Sequence, residues 1–399
     1  MVTRSVKCGN SSIYLILSQG IRQNKQYLDV MSIDLSIILI LVFWSFGFFF
    51  FWRIPLPGSN IHPKKGRLPA ISIIIPARNE SENIGALLSS LKNQHDQLKE
   101  VIVVDDHSED NTADIARELG AIVLSSKTLP DGWSGKPWAC WQGAKESKGE
   151  TLMFLDADTI FVKGGVVSIV LTFVRLGGLV SVQPYHRMRC LYEQLSAYFS
   201  IITMAGMNAF SMFRNVFKVL GGFGPCMVCS REDYFFIGGH EKVKGAVLEN
   251  LALGKEFLSA GKQVHCFGGK GYISFRMYPN GLSSIVEGFG KGFAIGAHAM
   301  NIPSLIMVVC WITGGMSLTR HLIQAVIAGS NSSIFVLVLV YLLFAAQLYW
   351  MLTRIGTYRW YTAFFFPIPL VFFVMVFFWS CISTFIIRKV QWKGRSIDT

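Results

Sequence analysis

Charge is scarce in this chain of 399 residues: Asp, Glu, Lys and Arg together make up 16%, against 51% hydrophobic residues and a mean hydropathy of +0.42. That balance excludes an ordinary soluble enzyme and places part of the chain in lipid. Acidic residues are the scarcer sign, 25 against 37 basic, for a net charge of +12. The basic residues are scattered and flank apolar runs instead of forming a stripe, which argues against nucleic acid as a partner and for anionic lipid headgroups. A disulfide framework is also missing. The eight cysteines sit at irregular positions, several inside apolar runs, so a reducing compartment is the simpler setting. Cys226 and Cys229 have the spacing of half a zinc site or a redox pair, yet no second pair stands at zinc-site distance and the intervening Met227 and Val228 read as strand. Two small buried hydrophobes are the simpler account of them.

Long apolar runs are what the chain has in place of charge. Residues 33–52 are one charge short of fully apolar and match a bilayer-spanning helix of roughly 20 residues. The run begins far from Met1 and no small-residue cleavage site follows it, so a transmembrane helix is preferred to a signal peptide. Three further runs, 302–318, 334–352 and 361–387, follow near the C-terminus. The expected organisation is a poorly defined polar and basic extension over 1–30, a transmembrane helix over 33–52, a central domain over 54–281, an interfacial helix over 282–301, membrane helices over 302–387 and a basic tail over 388–399. Met31, directly before the first apolar run, is an alternative start. Lys64, Lys65 and Arg67 place the central domain on the cytoplasmic side by positive-inside bias. Three simple C-terminal crossings would then put Arg388, Lys389 and the tail's Lys393 and Arg395 outside, against the same bias. The run 361–387, with Pro367 and Pro369 inside it, is therefore read as a kinked or re-entrant pair of segments.

The central region alternates short apolar runs with amphipathic ones. Ile71 to Pro76, Val101 to Val104, Ala121 to Leu124 and Leu152 to Asp156 read as strands. Ile84, Leu87, Leu88 and Leu91 share one helix face, with Asn79 and Glu82 as a candidate capping box, and a second helix is expected over 111–119. Such alternation predicts an α/β domain with a mostly parallel sheet. Ligands then bind at the C-terminal strand edge, where the loops at Pro76, Asp106 and Asp156 converge. The spaced glycines of a dinucleotide fingerprint are missing from the first two of these loops, which argues against a Rossmann dehydrogenase. Carboxylates stand there instead. Asp156 and Asp158, two positions apart, suit a divalent cation held against a diphosphate. Asp106 suits either a uracil or ribose contact or a helix cap, and Lys136, at the start of another helix, can meet phosphate oxygens.

Taken together, ISIIIPARNE, VIVVDDHSED, the Lys136 segment and Asp156-Ala157-Asp158 resemble the family 2 glycosyltransferases with the GT-A fold. Further strings, among them LVSVQPYH, FGPCMVCSREDYFFIGGH, VLENLALG, SFRMYPNG and the terminal WKGRSI, are similar to the bacterial 4,4′-diaponeurosporenoate glycosyltransferases of the staphyloxanthin pathway. The resemblance runs over about 70–397. It implies a GT-A catalytic domain that moves glucose from UDP-glucose to the carboxylate of a carotenoid acid at a bacterial cell membrane, beside other carotenoid enzymes. It also implies that Pro76, Arg78, Glu80 and Asp106 line the uridine pocket with Lys136 nearby, that Asp156 faces ribose or metal, and that Asp158 ligates Mg²⁺ or Mn²⁺.

Two departures stand out. Where most members carry Glu-Asp, with Asp as general base, this chain has Glu249-Asn250, and the usual Gln-x-x-Arg-Trp motif is not intact. Glu249 is one candidate replacement base. A carboxylic acid acceptor, which ionises at roughly pH 4–5 as Asp and Glu do, needs no base at all. Arg276 is the candidate acceptor-side or phosphate-side cation, with an interfacial anchor as its alternative. His186 and His240 are expected to be structural. Another lipid acceptor (hopanoid, sphingoid or polyprenyl alcohol), a processive synthase and a non-catalytic protein that binds nucleotide sugar are the competing readings.

Overall fold

The computed structural model describes residues 35–58, 68–92, 94, 98–214, 216–290, 293–387, 389–392 and 395–398. The expected 1–30 extension, Lys64, Lys65, Arg67, Arg388 and Lys393 lie outside the described residues. An apolar helix, α1 (Leu35–Phe50), leads into the central domain. There follow β1 (Ile71–Ala77), α2 (Ser81–Leu91), β2 (Leu98–Asp105), α3 (Thr112–Glu118), β3 (Ile122–Ser125), α4 (Gly135–Glu146), β4 (Thr151–Leu155) and β5 (Thr159–Phe161). Next come α5 (Gly165–Leu176), β6 (Leu179–Gln183), β7 (Tyr185–His186), a 3₁₀ turn (Tyr192–Ser196) and α6 (Ala197–Gly206). The domain closes with β8 (Cys226–Ser230), α7 (Arg231–Phe236), α8 (Gly239–Lys242), α9 (Glu249–Ser259), β9 (Val264–Gly268) and β10 (Ile273–Phe275).

Seven strands form one sheet in the order β3-β2-β1-β4-β8-β6-β9, parallel except at β8. Ile71, Ile73 and Ile75 point to the face covered by α2 and α5, whereas Ile74 points to the face covered by α4, as the two-residue period of a strand requires. All four are buried, the pattern of a sheet covered on both sides. Gly143 lets α4 approach closely, since a Cβ there would stand 2.6 Å from Ile74 Cγ2. Cys226 and Cys229 belong to the cores on opposite faces of β8 and so cannot share a metal. The expected capping box does not form. Asn79 adopts a left-handed φ of 53°, and its Oδ1 accepts instead from the Glu109 amide at 2.8 Å, stitching the loop after β1 to the loop after β2.

Beyond the domain lie α10 (Leu282–Gly290) and α11 (Phe293–Ala299), both within the 282–301 stretch expected to be helical. Then come α12 (Ile302–Ala328) and α13 (Asn331–Ile355), both longer than their apolar runs implied. Together with the stretch Pro367–Thr384, they are long and apolar enough to cross a bilayer. Gln347 ties the bundle together: its Nε2 donates to the Trp44 carbonyl of α1 at 2.8 Å, and its Oε1 accepts from Trp311 Nε1 of α12 at 2.9 Å.

The run 361–387 is not one helix. α14 (Trp360–Phe364) rises from Tyr358, whose hydroxyl meets Ser196 and Ser200 of the domain. The chain turns at Phe366, which packs on Phe344 and beside Gly315, near the midpoints of α13 and α12. α15 (Pro367–Cys381) then returns, with Phe373 against Phe199 and Ser380 donating to the Gly290 carbonyl of α10 at 2.8 Å. Pro367 and Pro369 fall in its first turn, where no intrahelical N–H is needed. A π-helical turn (Ile382–Ile387) and a hairpin of β11 (Lys389–Trp392) and β12 (Arg395–Asp398) end the chain, with β11 beside α10. The pair α14–α15 thus enters the bundle to half its height and comes back to the domain side. In a membrane, a reporter fused after Thr399 is expected on the same side as one inserted in the loop at Gly132, as read by protease protection in oriented vesicles. Opposite sides would mean that α15 crosses.

Candidate active site

The loops that follow β1, β2 and β4 meet at one edge of the sheet, and hydrogen bonds fix them to each other. Asp106 N donates to Ala77 O at 2.8 Å, Asn79 N to Ser108 Oγ at 3.0 Å and Glu80 N to Thr112 Oγ1 at 2.8 Å. Asp110 accepts from both Ser81 and Thr112; burial works against its charge, but these hydrogen bonds prevail and hold its carboxyl down at about 2. Asp106 is buried, pairs with Arg78 Nη1 at 3.8 Å, and caps no helix, since Asn111 occupies the N-cap of α3. Arg78, Glu80 and Asp106 therefore share one loop cluster, with Pro76 at the end of β1 beside it.

Lys136, second residue of α4, reaches the next loop. Its Nζ lies 2.6 Å from Asp156 Oδ1 and 3.4 Å from Glu249 Oε1. Burial opposes its charge, but the two carboxylates outweigh burial and hold the ammonium's pKa up. Glu249 opens α9, and its Oε1 also accepts from Asn250 Nδ2 at 3.1 Å. Asn250 is seated against Gly224, where any Cβ would collide with the amide. Lys136 thus joins the β4 loop to the start of α9.

Asp158 lies beside this pair, and its Oδ1 is buried without a hydrogen-bond partner. Burial, then the charges of Asp156 and Glu80, push its carboxyl up to about 8. An orphaned oxygen among carboxylates fits a divalent cation, which would relieve both the desolvation and the repulsion. Among the described residues no three His, Cys, Asp or Glu side chains converge as a metal cage. The fit is therefore to an ion held by Asp158 and Asp156 and completed by diphosphate oxygens and water, the usual habit of Mg²⁺.

Sequence reasoning missed a second, three-stranded sheet in the order β5-β10-β7. Phe275 pairs with Thr159 and with His186, and the Arg187 amide donates to the Phe275 carbonyl at 2.8 Å, so Arg276 and Arg187 leave adjacent strands at the same end. The signal was too short to read, since these strands hold only three, three and two residues. Arg276 is not in the Lys136 cluster: its Nε donates to Glu193 at 2.7 Å. His186 and His240 are buried side chains bonded to Gln183 and Tyr234.

Residues 72–235 match the family described as Glycosyl transferase family 2, and the chain belongs to it. Its domain has the α/β GT-A-type fold, and the protein is a glycosyltransferase. It is 34% identical over 330 residues to the 4,4′-diaponeurosporenoate glycosyltransferase of Staphylococcus aureus strain USA300, covering 82% of this chain and 88% of that one. The protein of strain MRSA252 matches to the same extent. Among solved structures, the mannosyltransferase PcManGT from Pyrobaculum calidifontis in complex with GDP-Man and Mn2+ shares the fold. Its TM-score is 0.52 at 16% identity, covering 83% of this chain and 97% of that one.

Lys136→Met leaves Asp156 and Glu249 without their shared cation and is expected to lower kcat/KM, followed as release of the donor's nucleotide, by about 100-fold, whereas Lys136→Arg retains part of it. Activity within threefold of the parent would remove Lys136 from the site. His186 and His240 are each pushed down to about 3, by burial and, for His240, also by Lys136. Both are neutral in the folded domain, so their stabilising contribution is full above 6.5 and is lost as pH falls toward 3. Acid unfolding should therefore be shallower in His240→Gln, by up to about 1.4 kcal/mol per pH unit.

Proposed function

We propose that this glycosyltransferase moves glucose from UDP-glucose to the carboxylate of 4,4′-diaponeurosporenoate, with inversion, giving a glucosyl ester. The observation that carries the acceptor class is the state of Glu249. Its Oε1 lies 3.4 Å from the Lys136 ammonium and accepts from Asn250 Nδ2, contacts that favour its ionised form and make it a poorer base toward a sugar or lipid hydroxyl. A carboxylate acceptor asks for none. The Staphylococcus aureus relatives, 4,4′-diaponeurosporenoate glycosyltransferases by name, support the same acceptor.

In this reading the loop cluster of Pro76, Arg78, Glu80 and Asp106 receives the uridine. Lys136 lies where it can bond diphosphate oxygens as they separate from glucose. Mg²⁺ or Mn²⁺, held by Asp158 and Asp156, would neutralise the leaving diphosphate; the PcManGT complex contains Mn2+. An acceptor carboxylate oxygen attacks the anomeric carbon from the face opposite the diphosphate. The C1–O bond to phosphate breaks, and UDP leaves with the electron pair. Nothing in this displacement needs a proton, so alignment and charge stabilisation supply the catalysis.

The protein would lie in a bacterial cell membrane as a multi-pass chain, with α1, α12 and α13 crossing, the catalytic domain cytoplasmic with its UDP-sugar, and α10–α11 at the interface. A hydroxyl-bearing lipid acceptor is the second reading, and the product separates the two. Membranes carrying the protein, given 4,4′-diaponeurosporenoate, UDP-glucose and Mn²⁺, are expected to yield a species heavier by one hexose. It should be cleaved by mild alkali and be absent with Asp158→Ala. An alkali-stable glycoside on a lipid alcohol would overturn the carboxylate acceptor and keep the transferase.

A further inference from the structure

Resting on that reading, we infer that a cavity between the three-stranded sheet and the 3₁₀ turn is the seat of the acceptor's carboxylate, with Arg276 receiving it and Glu193 positioning Arg276. The cavity is a narrow crevice of about 10 Å³, room for one water, so the carboxylate would meet the guanidinium at its mouth; Arg187, Glu193, Arg276 and Tyr278 are among its lining residues. Two of its walls are guanidinium side chains from adjacent strands, β10 and the end of β7, brought side by side by the pairing of Phe275 with His186.

Arg276 is built in, not merely present. Its Nε donates to Glu193 Oε1 at 2.7 Å, and its Nη2 meets Cys190 Sγ at 3.4 Å. Glu193 is buried and cannot follow the guanidinium, since its Oε2 accepts from the Arg189 and Cys190 amides at 2.5 and 2.8 Å. A guanidinium has five N–H groups, so three of Arg276 remain unbonded among the described residues. A fork held by one carboxylate on its Nε edge suits a second, incoming carboxylate on the others.

Location ties the cavity to the reaction on one side and to the apolar bundle on the other. Arg276 directly follows Phe275, which pairs with Thr159, and Asp158 directly precedes Thr159. Tyr278, half-buried, feels the charge of Asp158 and packs on Phe289 at 5.1 Å. Phe289 stacks on Phe199 at 4.3 Å, and Phe199 meets Phe373 of α15 at 4.9 Å, so an aromatic row leads from the cavity wall into the bundle. The 3₁₀ turn that carries Glu193 also holds the re-entrant hairpin. Gln194 accepts from Arg359 N and from Thr362 Oγ1, and Ser196 meets Tyr358. The three rings of Phe289, Phe199 and Phe373 are packed core and not part of the crevice, so what they show is that the charged crevice abuts the apolar bundle, the place from which an amphiphilic carboxylate would approach. The donor's diphosphate is the other anion in reach.

The test uses the full chain in nanodiscs of neutral lipid, with parinaric acid, a fluorescent polyene carboxylate, and its methyl ester as probes. The parent protein is expected to bind the acid about tenfold more tightly than the ester, the size of one charge-assisted contact. Arg276→Gln should erase that preference, Arg276→Lys should keep part of it, and Glu193→Gln should lower it. Binding of UDP with Mn²⁺, unchanged in each variant, shows that the site is folded. Equal affinity of the parent for acid and ester sinks the inference. So does a loss of UDP affinity in Arg276→Gln with the acid preference intact, which would assign Arg276 to the diphosphate. An acid preference that depends on Arg276, without any glucosyl ester from 4,4′-diaponeurosporenoate, keeps the carboxylate seat and removes only the carotenoid acceptor.

Discussion

One ammonium joins two parts of the chain that are remote in sequence. Lys136 meets Asp156 at the end of the fourth strand and Glu249 at the head of α9, 93 residues later. Without it, the carboxylates of the sheet edge and of α9 would repel across a partly buried site. With it, the head of α9 is registered against the loop after β4. Lys136 can hold that place because Gly143, two turns further along α4, lets the helix lie directly on β1. A methyl group at 143 would lift the helix and move the ammonium with it.

The second constraint is the seam between domain and bundle. α6 is buried almost all round and packs on α11, α12, α13 and α15, so it belongs to both. The re-entrant hairpin adds a polar seam of Tyr358, Thr362 and Arg359 against Ser196, Ser200 and Gln194. On the proposed reading the acceptor is dissolved in lipid, and the enzyme must bring a polar reaction centre to it without opening a water channel through the bilayer. A hairpin that rises halfway and returns supplies apolar surface at the interface while leaving both of its ends fixed to the catalytic domain.

Much of this was legible in the sequence. Runs such as Ile71 to Pro76 and Leu152 to Asp156 declare themselves because a parallel strand covered on both faces is apolar throughout. Asp156 and Asp158 were found by their place after such a run. The proline pair in 361–387 pointed to a break there, because proline is tolerated within the first turn of a helix and not in its interior. What stayed hidden was everything set by pairing at long range. Glu193 lies in an unremarkable polar segment, and nothing local says that it meets Arg276, 83 residues away. The three-stranded sheet is too short for any periodicity, and Asn79 was misread as a cap because a loop-to-loop bond outcompeted the local one.

The engagement of Glu249 bears on water as well as on the acceptor. A group free to deprotonate a hydroxyl would also activate water, which is present at far higher concentration than any membrane-dissolved acceptor, and the sugar donor would be hydrolysed. On the proposed reading, the contacts of Lys136 and Asn250 with one oxygen of that carboxylate weaken it as a base for both. A nucleophile that arrives already ionised then has the advantage, and it must be drawn in by charge and oriented, not activated. On the proposed reading the replacement of Asp by Asn at 250 is therefore a gain in selectivity: the amide's Nδ2 supports Glu249, and its neutrality spares an incoming carboxylate a further repulsion. Selectivity against water and preference for an acid would then have a single physical origin.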